Sequence, residues 1–257
     1  SPDGTRAAVV SKQDNIQRGE FFGVNDLTFE TTVRAVVSFL DLQANAEIRH
    51  ARRDFDNSDS PSAVSYTPLG DTILVTLQGN NRLVGFDALS LEPVTGSNTI
   101  GATLVSPVVK TLTAVTGSAP QGLLIDAASE RLFVQNFLGR SVTLLDAAPL
   151  LNQNQGSLPN IATIDTVENE TLSAGVLAGK TIFYHAADPR MSADGYLSCA
   201  SCHVDGGHDG RVWDFTGRGE GLRRTTDLRG RGGMSHGNVH WSGNFDEIQD
   251  FELDIRG

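Results

Sequence analysis

Several residue types that define whole protein classes are scarce in this sequence. Its 257 residues include two cysteines, two methionines and two tryptophans. Two cysteines are too few for a disulfide-rich scaffold. No apolar run approaches the roughly 18 residues of a membrane-spanning helix, so the sequence predicts no transmembrane segment. The first four residues, Ser-Pro-Asp-Gly, are typical of a turn and not of a secretory leader.

Basic residues are also scarce. Lysine and arginine total 20 against 31 aspartate and glutamate residues, which gives a formal net charge of −11. This balance argues against nucleic acid or an anionic membrane surface as a partner, because both are bound by clustered basic side chains. It favours a partner with a basic surface. The length and the 39% hydrophobic content suit one or two globular domains with a buried core.

The N-terminal part of the chain contains an internal repeat. Residues Pro61–Ala88 and Pro120–Ala147 align without gaps at an offset of 59, and both end in Asp-Ala. Each copy predicts three strands joined by polar turns. An earlier, imperfect copy begins at residues 1–4 and closes with a strand at Ala35–Leu42, after an insertion at about residues 15–33. Repeats of several short strands are typical of β-propeller blades.

These repeats resemble the YVTN family of β-propellers, whose blades begin with Ser-Pro-Asp-Gly and close near an aspartate. The resemblance covers residues 1–150 and implies a propeller fold there. A closed propeller needs about 4 to 8 blades, whereas this segment holds fewer than three. We therefore predict an all-β partial propeller. Its remaining blades would lie elsewhere in a longer protein, or a partner would cover its open edges.

The composition changes after residue 150. Residues 151–172 are rich in Asn, Pro and Ser and predict a polar linker. Helical patterning follows at Ala174–Tyr184, with Ser173 as its N-cap. From Asp188 to Gly257 glycine is frequent, and few regular elements can be recognised. We predict that residues 173–257 form a second domain, rich in loops and ordered around an apolar cofactor.

Both cysteines fall in one short motif, Cys-Ala-Ser-Cys-His, at residues 199–203. Cys-x-x-Cys-His is the attachment signature of c-type haem. Two thiols at this spacing reach the two vinyl groups of a haem, and the adjacent histidine presents its imidazole to the iron. We therefore predict one covalent haem c on Cys199 and Cys202, with His203 as the proximal iron ligand.

Three other interpretations of this motif stay open. A structural zinc site would need a second pair of ligands, which His236 and His240 offer. A plain disulfide would join the two cysteines to each other. A thioredoxin-type redox pair would need a βαβ context, and the sequence predicts none nearby.

Short motifs around the cysteines occur in the order of a known family. The segments Ala178–Phe183, Leu197–His203, Arg223–Gly230 and His240–Asn244 resemble the first haem domain of the bacterial dihaem cytochrome c peroxidase and MauG family. The resemblance covers residues 174–257 and implies a mainly α cytochrome c domain. Two features depart from the family. His-Trp-Ser-Gly-Asn stands where Phe-Trp-Asp-Gly-Arg is usual, and no second Cys-x-x-Cys-His occurs in these 257 residues.

The sixth iron position has several candidate ligands. We predict His240, with His236, Met234 and an open position as the alternatives. The resemblance implies that Trp241 lies near the haem. We predict that Arg224 pairs with a haem propionate, because the guanidinium fork matches a carboxylate.

The fold class predicted from sequence is therefore mixed, with a partial propeller followed by a loop-rich, mainly α cytochrome c domain. The predicted function is electron transfer by a c-type cytochrome. The alternatives are a peroxidase or MauG-like oxidoreductase with its second haem domain beyond residue 257, and a subunit of an extracellular electron-conducting assembly. We expect a redox partner protein or a second haem domain, and an oligomer or larger assembly. We also expect a periplasmic or extracellular location, because haem c is attached outside the cytoplasm.

Overall fold

The fold is described from a computed structural model. The described residues are 1–13, 33–88, 112–192, 194–215, 219–230, 237–239, 242–243 and 245–246. Within them the chain is built mainly from antiparallel sheets, with a few short helices. No helix in this part of the chain has the length and hydropathy needed to cross a membrane.

The first sheet is organised around one central strand. It contains β1 (Arg6–Gln13), β2 (Arg34–Asp41), β3 (Ala46–Glu47) and β4 (Arg53–Phe55). Strand β2 pairs antiparallel with each of the other three. A 3₁₀ turn at Arg49–Ala51 connects β3 to β4. The predicted insertion at residues 15–33 lies almost wholly outside the described residues.

The second and third sheets repeat one design, in which four antiparallel strands pair in chain order. The second sheet contains β5 (Pro61–Tyr66), β6 (Thr72–Leu77), β7 (Arg82–Asp87) and β8 (Leu112–Val115). The third contains β9 (Pro120–Asp126), β10 (Arg131–Asn136), β11 (Ser141–Asp146) and β12 (Asn160–Asp165). The first three strands of the two sheets begin 59 residues apart, at the offset of the repeat. Such sheets have the topology of propeller blades.

Turn geometry repeats along with the strands. Asn81, between β6 and β7, has a φ of 53°, and Arg140, its counterpart 59 residues later, has a φ of 47°. Both residues adopt the left-handed conformation, which short polar turns between antiparallel strands commonly need. The two copies therefore share a backbone conformation although their sequence identity is low.

The sheets pack face to face and bury two successive apolar layers. Strand β5 contacts both β1 and β9, so the second sheet lies between the other two. Its residues Ile73 and Val75 face Val37 and Phe39 of the first sheet. On its opposite side Leu74 and Leu83 meet the third sheet, through Leu132, Val134 and Leu145. Alternate side chains point to opposite faces of a strand, and this alternation lets one sheet serve both layers.

The segment predicted as a linker belongs in part to the third sheet. Residues 151–172, predicted as a linker, include β12, which pairs with β11. Helix α1 (Ala148–Gln153) precedes that strand, and α2 (Ala174–Phe183) follows it. Ser173 caps α2 by accepting a hydrogen bond from the amide of Val176 at 3.4 Å. This predicted helix and its N-cap are confirmed.

The prediction of a mainly α cytochrome c domain at residues 173–257 is wrong. Besides α2, the described residues there form the four-residue helix α3 (Cys199–Cys202), a 3₁₀ turn at Val204–Gly206 and a hairpin of β13 (Val212–Phe215) and β14 (Gly221–Arg224). The remaining described segments are loops, with one isolated bridge between Val239 and Phe245. Frequent glycines disfavour long helices, because glycine loses more backbone entropy on folding than any other residue.

Candidate functional site

The two cysteines lie at the ends of one short helical turn. Helix α3 begins at Cys199 and ends at Cys202. Its N-terminus is capped by a hydrogen bond from the amide of Ser198 to Oγ of Ser201 at 2.8 Å. The cysteines are not joined in a disulfide, and both are half-buried. Burial raises the pKa of the Cys199 thiol above its ordinary value. The structure therefore does not show the disulfide between Cys199 and Cys202.

The imidazole of His203 is oriented by a carbonyl group. Its Nδ1 lies 2.8 Å from the backbone oxygen of Thr226. A carbonyl only accepts hydrogen bonds, so Nδ1 carries the proton and donates it. Nε2 makes no hydrogen bond to the described residues. Histidines that bind a metal characteristically have this arrangement, in which one ring nitrogen donates to a carbonyl and the other keeps its lone pair.

The three side chains of the motif do not form a metal site by themselves. Among the described residues, no three His, Cys, Asp or Glu side chains are placed to hold a metal ion together. A structural zinc ion would need such convergence. The zinc interpretation with Cys199, Cys202, His236 and His240 stays a prediction, because both histidines lie outside the described residues.

Hydrogen bonds fix the segment before the motif to the first two sheets. Tyr196 donates from its hydroxyl to Asp56, in the loop that leads from β4 to β5. The side-chain amide of Asn80 donates to the carbonyl of Gly195 at 3.1 Å. The amide of Ala186 donates to the carbonyl of Gly79 at 2.9 Å. The motif is therefore held by sheet loops more than 100 residues away in the sequence.

A lysine of the first strand joins the same region. The Lys12 ammonium donates to the carbonyl oxygen of Ser201 at 2.6 Å and lies 3.5 Å from a carboxylate oxygen of Asp209. It also lies 5.2 Å from the centre of the Trp213 ring. Asp209 in turn accepts hydrogen bonds from Trp213 at 3.2 Å and from Thr225 at 2.8 Å. Lys12 thus links β1, α3 and the β13–β14 hairpin.

The remaining predicted site residues are placed differently or not described. Arg224 lies on β14 and is exposed. The four other predicted residues, Met234, His236, His240 and Trp241, lie outside the described residues.

Sequence reasoning missed three residues that hold the motif. They are Asp59, which accepts hydrogen bonds from Ser198 and Ser201, Lys12, and the carbonyl of Thr226. No local sequence signal indicates these three partners, because they lie 142, 189 and 23 residues from the atoms that they bond in Ser201 and His203.

Comparisons with known proteins find structural similarity without close relationship. No protein-family model matches the chain, and no curated protein matches it. Among solved structures, hydrazine synthase from Kuenenia stuttgartiensis shares 18% identity at a TM-score of 0.39, over 65% of this chain and 48% of that one.

Two further solved structures are similar at the same level. The Cps50 β-propeller domain from Myceliophteria thermophila shares 16% identity at a TM-score of 0.35, over 54% of this chain and 43% of that one. The periplasmic gluconolactonase of Pseudomonas aeruginosa shares 12% identity at a TM-score of 0.38, over 67% of this chain and 57% of that one. This chain therefore spans roughly half the length of each of these structures, and no activity is transferred from them at these TM-scores.

The predicted membership of the dihaem peroxidase and MauG family is wrong. In the part of the chain that carries the resemblance, the described residues form one ten-residue helix, two shorter helical turns, one two-stranded hairpin and loops, which is not a mainly α cytochrome domain. The predictions of a cytochrome electron carrier, a peroxidase and an electron-conducting subunit all depended on that domain and are wrong with it.

Proposed function

We propose that the described part of this chain is a scaffold of propeller-type sheets that holds a prosthetic group bound through Cys199, Cys202 and His203. One observation carries the proposal. Two thiols lie on one helical turn, and the adjacent imidazole has Nδ1 held by the carbonyl of Thr226 at 2.8 Å, which leaves Nε2 as a ligand atom.

The group proposed for this site is one haem c. Its attachment needs two thiols at the Cys-x-x-Cys spacing and one neighbouring imidazole, and these are local requirements that no particular fold has to meet. The thiols would bind the vinyl groups while the imidazole binds the iron, so the three side chains need not converge on one point. When bound, the group would supply a redox-active iron.

Apolar side chains beside the motif fit a large apolar group. Val204 directly follows His203 and is exposed, and Leu197 precedes the motif and is partly exposed. Leu228 is also exposed, and its amide donates to the carbonyl of Gly206 at 2.7 Å, which keeps it near the histidine. Covering these side chains with an apolar surface would be favourable.

Location and partner follow from the same proposal. We propose a periplasmic or extracellular location, because haem c is attached outside the cytoplasm. A net charge of −11 supports a partner protein with a basic docking surface.

Intact-mass measurement of the denatured, purified chain tests the proposal, together with a pyridine haemochrome spectrum. We expect one covalently bound haem per chain. The variant Cys199→Ser/Cys202→Ser should lose it, whereas His203→Ala should keep the attached mass and change the visible spectrum.

His208→Ala is the matched control, because His208 lies in the same loop and its Nδ1 only accepts a hydrogen bond from the amide of Gly210 at 3.1 Å. It should leave both readouts unchanged. A chain that carries no added mass, that holds stoichiometric zinc, or that has lost two hydrogens to a disulfide would contradict the proposal.

A further inference from the structure

Three serine hydroxyls converge on one buried carboxylate, that of Asp59. Oδ1 accepts from Oγ of Ser201 at 2.7 Å and from Oγ of Ser60 at 2.9 Å, and Oδ2 accepts from Oγ of Ser198 at 2.8 Å. Only 2% of Asp59 is exposed. Burial raises the pKa of Asp59, against the opposing effect of the three hydroxyls and the charge of Lys12. A buried carboxylate is retained only where its oxygens are hydrogen-bonded in this way.

Two of these serines directly precede the two cysteines. Ser198 is the N-cap of α3 and Ser201 is its third helical residue, and their hydroxyls lie 3.2 Å apart and point together toward Asp59. Cys199 and Cys202 each follow one position later, and they share the neighbouring face of the same turn. Fixing the two serines therefore fixes the direction in which both thiols point.

Asp59 is itself held firmly in the sheet scaffold. Its amide donates to the side-chain oxygen of Asn80 at 2.7 Å, and its carbonyl accepts from the amide of Gly79 at 3.4 Å. Both partners belong to the turn between β6 and β7. A rigid chain of contacts thus runs from the second sheet through Asp59 to the cysteine turn.

We propose that Asp59 is a positioning residue that sets the orientation of the Cys199 and Cys202 thiols through Ser198 and Ser201. The purpose of this arrangement rests on the proposed function, because a group attached at two points requires two thiols that point in the same direction. The geometry itself does not depend on which group is bound.

A double-mutant cycle tests this proposal, read out by amide hydrogen exchange of residues 198–203 in the whole chain. We expect Asp59→Ala to speed exchange there about tenfold, as loss of hydrogen bonds to a charged group implies. Ser198→Ala/Ser201→Ala should speed exchange at least as much, because it also removes the hydrogen bond from the amide of Ser198 to Oγ of Ser201. Adding Asp59→Ala to that pair should have no further effect, because the pair has already removed the two hydroxyls through which Asp59 acts.

Two other variants separate positioning from general damage. Asp59→Asn should restore exchange to within about twofold of the wild type, because its amide group still bonds both hydroxyls. Asp126→Asn, at an exposed turn where the carboxylate bonds Ser129, is the matched surface control and should change nothing. Exchange in α2 and in β9–β12 should stay unchanged in every variant, which shows that the sheets remain folded.

The fraction of chains that carry the prosthetic group is measured on the same samples, and it should fall in Asp59→Ala and recover in Asp59→Asn. Additive effects of Asp59 and the serines, or faster exchange spread evenly over the sheets, would overturn the role of Asp59. If the wild type carries no group but the cycle is non-additive, the proposed function fails and the role of Asp59 stands.

Discussion

Gly79 and Asp59 are packed so closely that no side chain fits between them. A Cβ atom built on Gly79 would lie 2.6 Å from Oδ2 of Asp59 and 2.9 Å from Cβ of Ala186. The glycine thus lets the turn after β6 approach both the buried carboxylate and the segment that leads to the cysteines. The second sheet and the segment that leads to the cysteines are therefore in contact at Gly79.

Gly79→Ala is therefore expected to destabilise the protein. The methyl group would push Asp59 or Ala186 aside, and overpacking of this kind costs about 1–3 kcal/mol. Gly179→Ala is the matched control, since Gly179 is exposed in the middle of α2 with open space around it. That change should stabilise by about 0.5–1 kcal/mol, because alanine favours the helix. Urea unfolding of both variants measures the two effects, and equal effects of the same sign would contradict the close packing at Gly79.

The stability of the protein should depend on pH through Asp54. Burial raises the pKa of Asp54 to about 6, although Arg34 lies 3.0 Å away. In the unfolded chain an aspartate ionises near pH 4, so between about pH 4 and pH 6 ionisation favours the unfolded state. The contribution of Asp54 is fully present below about pH 4 and is lost as the pH rises through 6.

We expect the wild type to lose about 2–3 kcal/mol relative to Asp54→Asn between pH 4 and pH 7. The measurement is the free energy of unfolding of both proteins at several pH values in that window. A difference that does not change with pH would show that Asp54 is ionised in the folded protein throughout.

Lys12→Met should weaken the link between the first strand and the cysteine turn. The ammonium group is mostly buried, as is the carboxylate of Asp209, so the change leaves a buried charge without its ion pair. Loss of a partner from such a pair costs about 1–3 kcal/mol or more. Arg49→Met is the control, because the side chain of Arg49 is 88% exposed and its ion pair with Glu47 is worth little. Comparable thermal stability of the two variants would contradict this role of Lys12.

The contact between the second and third sheets predicts that alanine substitution of two leucines changes the free energy of unfolding by very different amounts. Leu74 is fully buried against the third sheet, whereas Leu124 of β9 is 62% exposed. Leu74→Ala should cost about 2–5 kcal/mol through lost burial and the cavity that remains. Leu124→Ala should change the free energy of unfolding by about 0.5 kcal/mol or less. Chemical denaturation of the two variants compares them directly, and a small effect at Leu74 would show that the sheets do not pack as described.

The strand repeat is recognisable in the amino-acid sequence because its signals are local. In the segments that form β5–β7 and β9–β11, apolar residues and turn residues recur at an offset of 59, and the strands begin at that offset. Strand β12 carries no comparable signal. Its apolar residues, Ile161, Ala162 and Ile164, do not alternate with polar ones, and its pairing with β11 is what makes it a strand.

The fold of the C-terminal part, in contrast, could not be recognised from the amino-acid sequence. Short motifs in a familiar order implied a helical haem domain, but motif order does not set backbone conformation. Only α2, which has a serine cap and no proline, could be assigned from local sequence. The hairpin of β13 and β14 depends on pairing between residues 6 to 12 positions apart, which the sequence pattern did not indicate.

The sequence by itself determined the strand repeat, the cap of α2 and the spacing of the two thiols and the imidazole in Cys-x-x-Cys-His, because each depends on residues close together in the chain. Only the tertiary structure decided which groups hold that motif. Asp59, Lys12 and the carbonyl of Thr226 lie 142, 189 and 23 residues from the atoms they bond in Ser201 and His203. Contacts at such separations arise from the packing of whole sheets and loops, and no local pattern of residues encodes them.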